Sequence, residues 1–201
     1  MKIIGLTGGI GMGKSTAASA LRRAGLPVFD ADAEVHALQA PGGRAVPAIA
    51  RLIPDAVRDG RIDRGILRRA VIADTALLTG LERILHPMVR AAQRRFLAHA
   101  RRSGRRWAVL DVPLLFERSG YLSCDLVVVV SAPQVMQLQR VRRRRGMKEA
   151  EALALIARQM PDAEKRRRAD LVINTGLSRW HSLRQIRRMM TNLNGTGTLT
   201  P

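Results

Sequence analysis

With a single cysteine, Cys124, the chain has no means of forming an intramolecular disulfide or a cysteine-based zinc cluster. A reducing compartment fits that usage, and the simplest role for Cys124 is a small core residue. Aromatic residues make up 3% of the chain, which leaves few rings on which single-stranded bases could stack. No apolar run approaches the length of a membrane span, and Lys2 is followed by a short strand and glycines rather than by the apolar stretch of a secretion signal. The expectation is a cytoplasmic protein with no membrane partner. Acidic residues are also scarce, 16 against 35 basic ones, for a net charge of +19. Only Lys2, Lys14, Lys148 and Lys165 are lysines, and the arginines spread along almost every helical segment instead of forming one arm. That pattern reads as a compositional bias, so nucleic acid is the lesser reading of the charge. What remains is 201 residues with 46% hydrophobic content, enough for one well-buried domain and too short for two ordinary ones. A monomer is expected.

The chain is organised around Gly8-Gly9-Ile10-Gly11-Met12-Gly13-Lys14-Ser15, which satisfies G-x-x-x-x-G-K-[ST] directly after the apolar run Ile3 to Leu6. Wrapping a backbone around a polyphosphate requires successive N–H groups to point inward, and glycines permit the turn. Lys14 adds a positive charge, and Thr16 continues a helix whose N-terminal end faces the anion. The Ser15 hydroxyl is placed to ligate a Mg²⁺ that bridges the phosphates. A dinucleotide fingerprint begun at Gly9 fails, because Lys14 stands where its third glycine belongs. The loop therefore points to a nucleoside triphosphate.

Residues 2 to 7 read as a buried parallel strand, and Ser15 to Ala24 as the helix that follows. A short second strand, Pro27 to Phe29, delivers Asp30-Ala31-Asp32 to the edge where open α/β sheets bind ligands. Either aspartate alone could instead cap the helix predicted over 33–39. From Pro41 to Gly104 the pattern is helical, with breaks at Pro41-Gly42-Gly43, Pro54, Gly60, Gly80 and Pro87 and no strand signal. His86 stands before a proline at an expected helix start, where it is either functional or a structural capping residue. Trp107 to Val112 reads as a second buried strand, and Asp111 near its end is a candidate Mg²⁺ ligand, direct or through water. Leu114-Leu115-Phe116 either plugs the core or walls a ligand pocket. Leu126 to Val130 and Leu171 to Asn174 are further strands, separated by a helix over 134–145 rich in arginine and another from about Lys148 to Met160. Arginines on a helical lid close small kinases over triphosphate, although five in six residues cannot all touch it. A last helix runs from Ser178 to about Leu193, and the tail 194–201 has no core-facing pattern, so it is expected to lack order.

These pieces resemble the dephospho-coenzyme A kinase family of P-loop kinases. The similarity runs from Ile4 to about Gly176 and rests on the phosphate loop, Asp30-Ala31-Asp32, Ile84-Leu85-His86-Pro87, Asp111 to Glu117, Gln159 and Arg168 to Asn174. It implies an α/β P-loop NTPase fold: a five-stranded parallel sheet flanked by helices, with a helical substrate-binding insertion over about 41–104 and a lid over about 138–165. The sheet core would comprise about 1–40, 105–135 and 168–193. The implied reaction moves the ATP γ-phosphoryl group to the ribose 3′-hydroxyl of dephospho-coenzyme A, the last step of coenzyme A synthesis, with Mg²⁺. Asp32, Lys14 and Arg140 take catalytic roles in that resemblance. Gly9, Gly11, Met12, Gly13, Lys14, Ser15, Thr16, Arg140 and Arg144 face ATP, and Ser15 and Asp111 face the metal. Asp32, His86, Leu114 and Glu117 lie on the substrate side. Met12 departs from the small polar residue usual at its position, which is tolerable if its side chain points away from the phosphates. A different small-molecule kinase, or an arginine-rich nucleic-acid-binding ATPase, is the alternative; a GTPase lacks its Asn-Lys-x-Asp motif here.

Overall fold

The computed structural model describes residues 1–117 and 120–195, apart from the side chains of residues 120, 121, 144, 145 and 194. It divides into two compact units: residues 1–29 with 103 onward, and the stretch Asp30–Arg102. Elements are numbered in chain order.

In the first unit, β1 (Lys2–Thr7) is the middle of a five-stranded sheet. Its neighbours are β5 (Trp107–Asp111) on one side and β6 (Leu126–Ser131) on the other. Outside these lie β2 (Val28–Asp30) and β7 (Leu171–Asn174), giving the order β2-β5-β1-β6-β7 in a parallel sheet. Registers such as Ile3 beside Ala108, Leu6 beside Val128 and Val130 beside Ile173 align the strand ends on one edge. The strands are near-continuous apolar runs because both faces are covered. Val128 and Val130 turn to one face, where α1 (Lys14–Arg23) and α9 (Arg179–Gly195) bring Ala17, Leu21, Ile186, Met189 and Leu193. Val127 and Val129 turn to the other and meet Leu115 and Phe116. Each fully buried aliphatic side chain of this kind is worth about 1.5–3 kcal/mol. Two of the scarce acids register strand starts: Asp125 accepts the Ile3 N–H at 2.6 Å and Asp170 the Val127 N–H at 2.7 Å. After β6 come α6 (Gln134–Arg145), α7 (Glu149–Ala157) and α8 (Asp162–Arg167). The α9 helix continues through Gly195, past the expected start of the tail, whose residues 196–201 lie outside those described.

The second unit is a helical layer with its own core of Leu38, Ile49, Ile53, Leu67, Leu81 and Leu85. It contains α2 (Ala31–Leu38), α3 (Val46–Leu52), α4 (Arg64–Ala73) and α5 (Thr75–Arg102). Grouping with this layer, α2 lies outside the sheet core in which residues up to 40 were expected. Two expected breaks are absent: α5 runs through both Gly80 and Pro87. Gly80 is a packing residue, since a Cβ there would lie 2.9 Å from a Leu52 methyl and require the Leu52 side chain to shift. Pro87 forfeits one helical hydrogen bond, a loss outweighed by the apolar stripe that includes Leu81 and Leu85. The structure also adds a short hairpin, β3 (Val57–Arg58) paired with β4 (Arg61–Ile62). Its turn residues Asp59 and Gly60 both have positive φ, 49° and 70°, the geometry an Asp-Gly pair favours between two strands.

Candidate active site

The phosphate loop leaves the central strand at Thr7 and enters α1 at Lys14. Gly11 and Gly13 take φ of 76° and 88°, which side-chain-bearing residues rarely adopt, so these two positions need glycine. What holds the loop is a set of side chains that grip its carbonyls from outside. Gln137 Nε2 donates to the Ile10 carbonyl at 2.9 Å, Arg140 Nη1 to the Gly11 carbonyl at 3.4 Å and Thr175 Oγ1 to the Met12 carbonyl at 2.6 Å. With three successive carbonyls drawn outward, the peptide planes are biased to turn their N–H groups the other way, as anion binding requires. Met12 is 2% exposed, and its sulfur accepts the Ala132 N–H at 3.1 Å. Its side chain is packed into the protein, so the departure from a small polar residue leaves the backbone cradle intact.

At the start of α1, Lys14 Nζ lies 2.5 Å from Asp111 Oδ1, and the Asp111 side chain is only 3% exposed. Asp111 is the last residue of β5, beside Leu6 of β1, so the sheet register itself sets this carboxylate at the phosphate loop. Ser15 and Thr16 on the first turn line a cavity of about 360 Å³ with Ser19, Arg23 and Arg179. Among the described residues, no group of three or more His, Cys, Asp or Glu side chains could hold a metal ion. The donors present, one hydroxyl and one carboxylate, suit Mg²⁺, which takes oxygen ligands and is commonly held by one or two side chains plus substrate phosphates and water.

Arg140 lies on α6, and besides its contact to Gly11 it donates to Thr175, to the carbonyl at 2.7 Å and to Oγ1 at 3.2 Å. The Arg144 side chain lies outside the described residues. Leu115 and Phe116 plug the core, whereas Leu114 is only half-buried. Glu117 accepts the Met160 N–H at 3.2 Å and pairs with the fully buried Lys165 at 2.8 Å. Burial alone would raise the Glu117 carboxyl, but the Lys165 ammonium and the N–H groups of Glu117 and Met160 outweigh it and hold the group below the ordinary glutamate value. Cys124 is partly buried against the Leu115 cluster, and desolvation, with the nearby Asp125 charge, pushes its thiol up to about 11. It is therefore a protonated packing residue at neutral pH.

In the helical unit, Asp30 Oδ1 accepts the Ala33 N–H at 2.9 Å and is the N-cap of α2. Asp32 lies on the first turn with an exposed side chain. His86 sits well inside α5 rather than at a helix start. Two members of the loop's grip were not singled out by sequence reasoning. Gln137 is one glutamine on a polar helix and carries no pattern of its own. Thr175 follows the last strand at the ligand-bearing edge of the sheet, and that position was a usable signal.

A phosphate loop opening a helix from the middle strand of a parallel sheet, with an acidic strand end against its lysine, defines a P-loop kinase architecture. The solved dephospho-CoA kinase from Campylobacter jejuni has this fold, with a TM-score of 0.75, 21% identity and 98% of both chains covered. The family described as Dephospho-CoA kinase matches residues 2–178, and the chain belongs to that family. The dephospho-CoA kinase of Paramagnetospirillum magneticum is 58% identical over 166 residues, covering 83% of this chain and 78% of that relative. The Gluconobacter oxydans dephospho-CoA kinase is 48% identical over 197 residues, covering 96% and 98%. No helix among the described residues is long and apolar enough to cross a membrane.

Proposed function

We propose that this chain transfers the γ-phosphoryl group of ATP to the ribose 3′-hydroxyl of dephospho-coenzyme A, giving coenzyme A and ADP, as a cytoplasmic monomer. The observation that carries the reading is the phosphate loop with its carbonyls gripped outward and Lys14 set on Asp111, in a chain of this family. Gly9, Gly11, Met12, Gly13, Lys14, Ser15 and Thr16 wrap the triphosphate; the Met12 and Thr16 N–H groups bond the Gly9 and Gly13 carbonyls at 3.1 Å and brace the turn, and the other N–H groups receive phosphate. Once phosphate is present the Lys14 ammonium moves to it from Asp111 and offsets the charge that develops in the transition state. Ser15 and Asp111 would hold Mg²⁺, which supplies further neutralisation of phosphate charge. Arg140 and Arg144 add charge from the lid side, and Arg140 has donors left beyond those given to Thr175 and Gly11. Asp32 orients the acceptor hydroxyl and takes its proton. His86 and Leu114 contact the acceptor, and Glu117 shares that side while anchoring Lys165. The helical stretch 41–104 receives the acceptor, and 138–165 closes as the lid.

A coupled ADP-release assay tests this reading. Release should depend on dephospho-coenzyme A, and Lys14→Ala should lower turnover by on the order of 10²-fold or more while the far-UV circular dichroism is unchanged. ADP release indifferent to the acceptor, or near-normal turnover in Lys14→Ala, would sink it.

A further inference from the structure

Two glutamines meet on one residue of the phosphate loop, Ile10, and hold the peptide units on either side of it. Gln137 gives its amide N–H to the Ile10 carbonyl at 2.9 Å, and Gln159 accepts the Ile10 N–H on Oε1 at 2.8 Å. The two use opposite ends of the same functional group, so Ile10 is held on both its donor and its acceptor side. Gln137 belongs to α6 and is only 5% exposed, as expected of a fixed support. Gln159 stands just beyond α7, in the stretch assigned to the lid. Ala152 is the one residue α7 buries, and its Leu153 and Ile156 border a cavity of about 790 Å³ whose wall also includes Met12, Gln137 and Gln159. A helix so lightly packed beside open space can shift at little cost, while a hydrogen bond ties its far end to the phosphate loop. The Ile10 N–H given to Gln159 is also removed from the set available to phosphate.

We propose that Gln137 and Gln159 are positioning residues for ATP. Together they latch the two peptides that flank Ile10 so that the rest of the loop presents its N–H groups to phosphate, and Gln159 makes the shape of that loop depend on where α7 stands. The proposal rests on the phosphate-loop reading above and adds to it a residue-level coupling between lid and loop.

The test compares KM for ATP and for dephospho-coenzyme A in four variants of the full chain. Gln137→Ala and Gln159→Ala should each raise KM for ATP by roughly 3- to 10-fold, the size of one net hydrogen bond, with KM for the acceptor little changed. Gln159→Glu keeps an oxygen for the Ile10 N–H and should recover most of the lost affinity. Gln137→Glu sets an oxygen against the Ile10 carbonyl and should recover none. Both glutamate variants add the same charge, so general electrostatics predicts no difference between them. Amide exchange at Ile10 should quicken in Gln159→Ala and slow again in Gln159→Glu. If an alanine variant fails to fold, the two glutamate variants still decide, because they are compared with each other. Equal KM for ATP in the two glutamate variants, or parallel rises for both substrates, overturns the latch alone. Absence of saturable ATP binding by the unaltered chain overturns the phosphate-loop reading and the latch with it.

Discussion

The Asp30 carboxylate accepts the Ala33 N–H, while two residues later the Asp32 carboxylate faces outward on the first turn of α2. A cap is a stability device, and an exposed carboxylate following a sheet edge is free for chemistry. Asp32→Asn keeps the shape and removes the proton acceptor of the proposed reaction, so on that proposal turnover should fall by roughly 10²- to 10⁴-fold with the melting temperature nearly unchanged. Asp30→Ala should instead cost about 0.5–2 kcal/mol in thermal or urea unfolding and retain far more turnover. An inactive, fully stable Asp30→Ala beside an active Asp32→Asn would reverse the assignment. From the sequence, either aspartate could be the cap, because an Asp-x-Asp pair before a helix offers both; only the side-chain position distinguishes them. Lys14, Ser15 and Asp111 were legible, since a spacing motif and a strand end fix where they must be. Gln137 was not, since what matters is which loop carbonyl it reaches.

Between elements, the ion pair of Lys165 on α8 with Glu117 ties this short helix to the loop after β5. Lys165 is fully buried, and Glu117 is the one counter-charge it has among the described residues. Glu117→Gln strands that ammonium and should cost about 2 kcal/mol, short of the roughly 3–5 kcal/mol of wholly buried pairs because Glu117 is partly solvated. Lys165→Met should cost less, since an apolar side chain fills the same space with no charge to satisfy. Equal losses in the two variants would show that the charge pair itself is not what matters. The pH dependence has a definite sign. The folded Glu117 carboxyl is held below its ordinary value, so its contribution is complete above the unfolded pKa and is lost as pH falls through the folded one. The stability gap between the parent and Glu117→Gln should therefore narrow only in acid, below the ordinary glutamate range. Helix α5 shows why boundaries were harder to read than elements. Gly80 and Pro87 look like punctuation in a linear reading, yet one makes room for Leu52 and the other is carried by the packing of its neighbours. The Asp59-Gly60 hairpin signal was present but spans strands of two residues each, too short to alternate visibly.

Across the whole molecule, the sheet was legible because Val and Ile runs buried on both faces have few other ways to fold. The point at which the chain leaves the sheet was less so: α2 starts directly off β2, whereas the conspicuous Pro-Gly-Gly break comes later, at residues 41–43. The net charge of +19 spread over the surface draws anionic substrates in on approach, an effect that weakens with salt. The sheet's connectivity has a further consequence for how the protein is made. Ile3 lies beside Ala108 in the finished sheet, and the entire helical layer is encoded between them. On a ribosome β1 therefore emerges before the helical layer and has no strand partner until β5 follows it, while the core of that layer is written within Asp30–Arg102. In refolding followed by pulsed hydrogen exchange, the amides of Leu81 and Leu85 should gain protection before those of Ile4 and Leu6; simultaneous protection would contradict this order. The first strand of the sheet thus waits longest for a neighbour, and until β5 arrives its apolar side chains stay exposed to aggregation on the nascent chain.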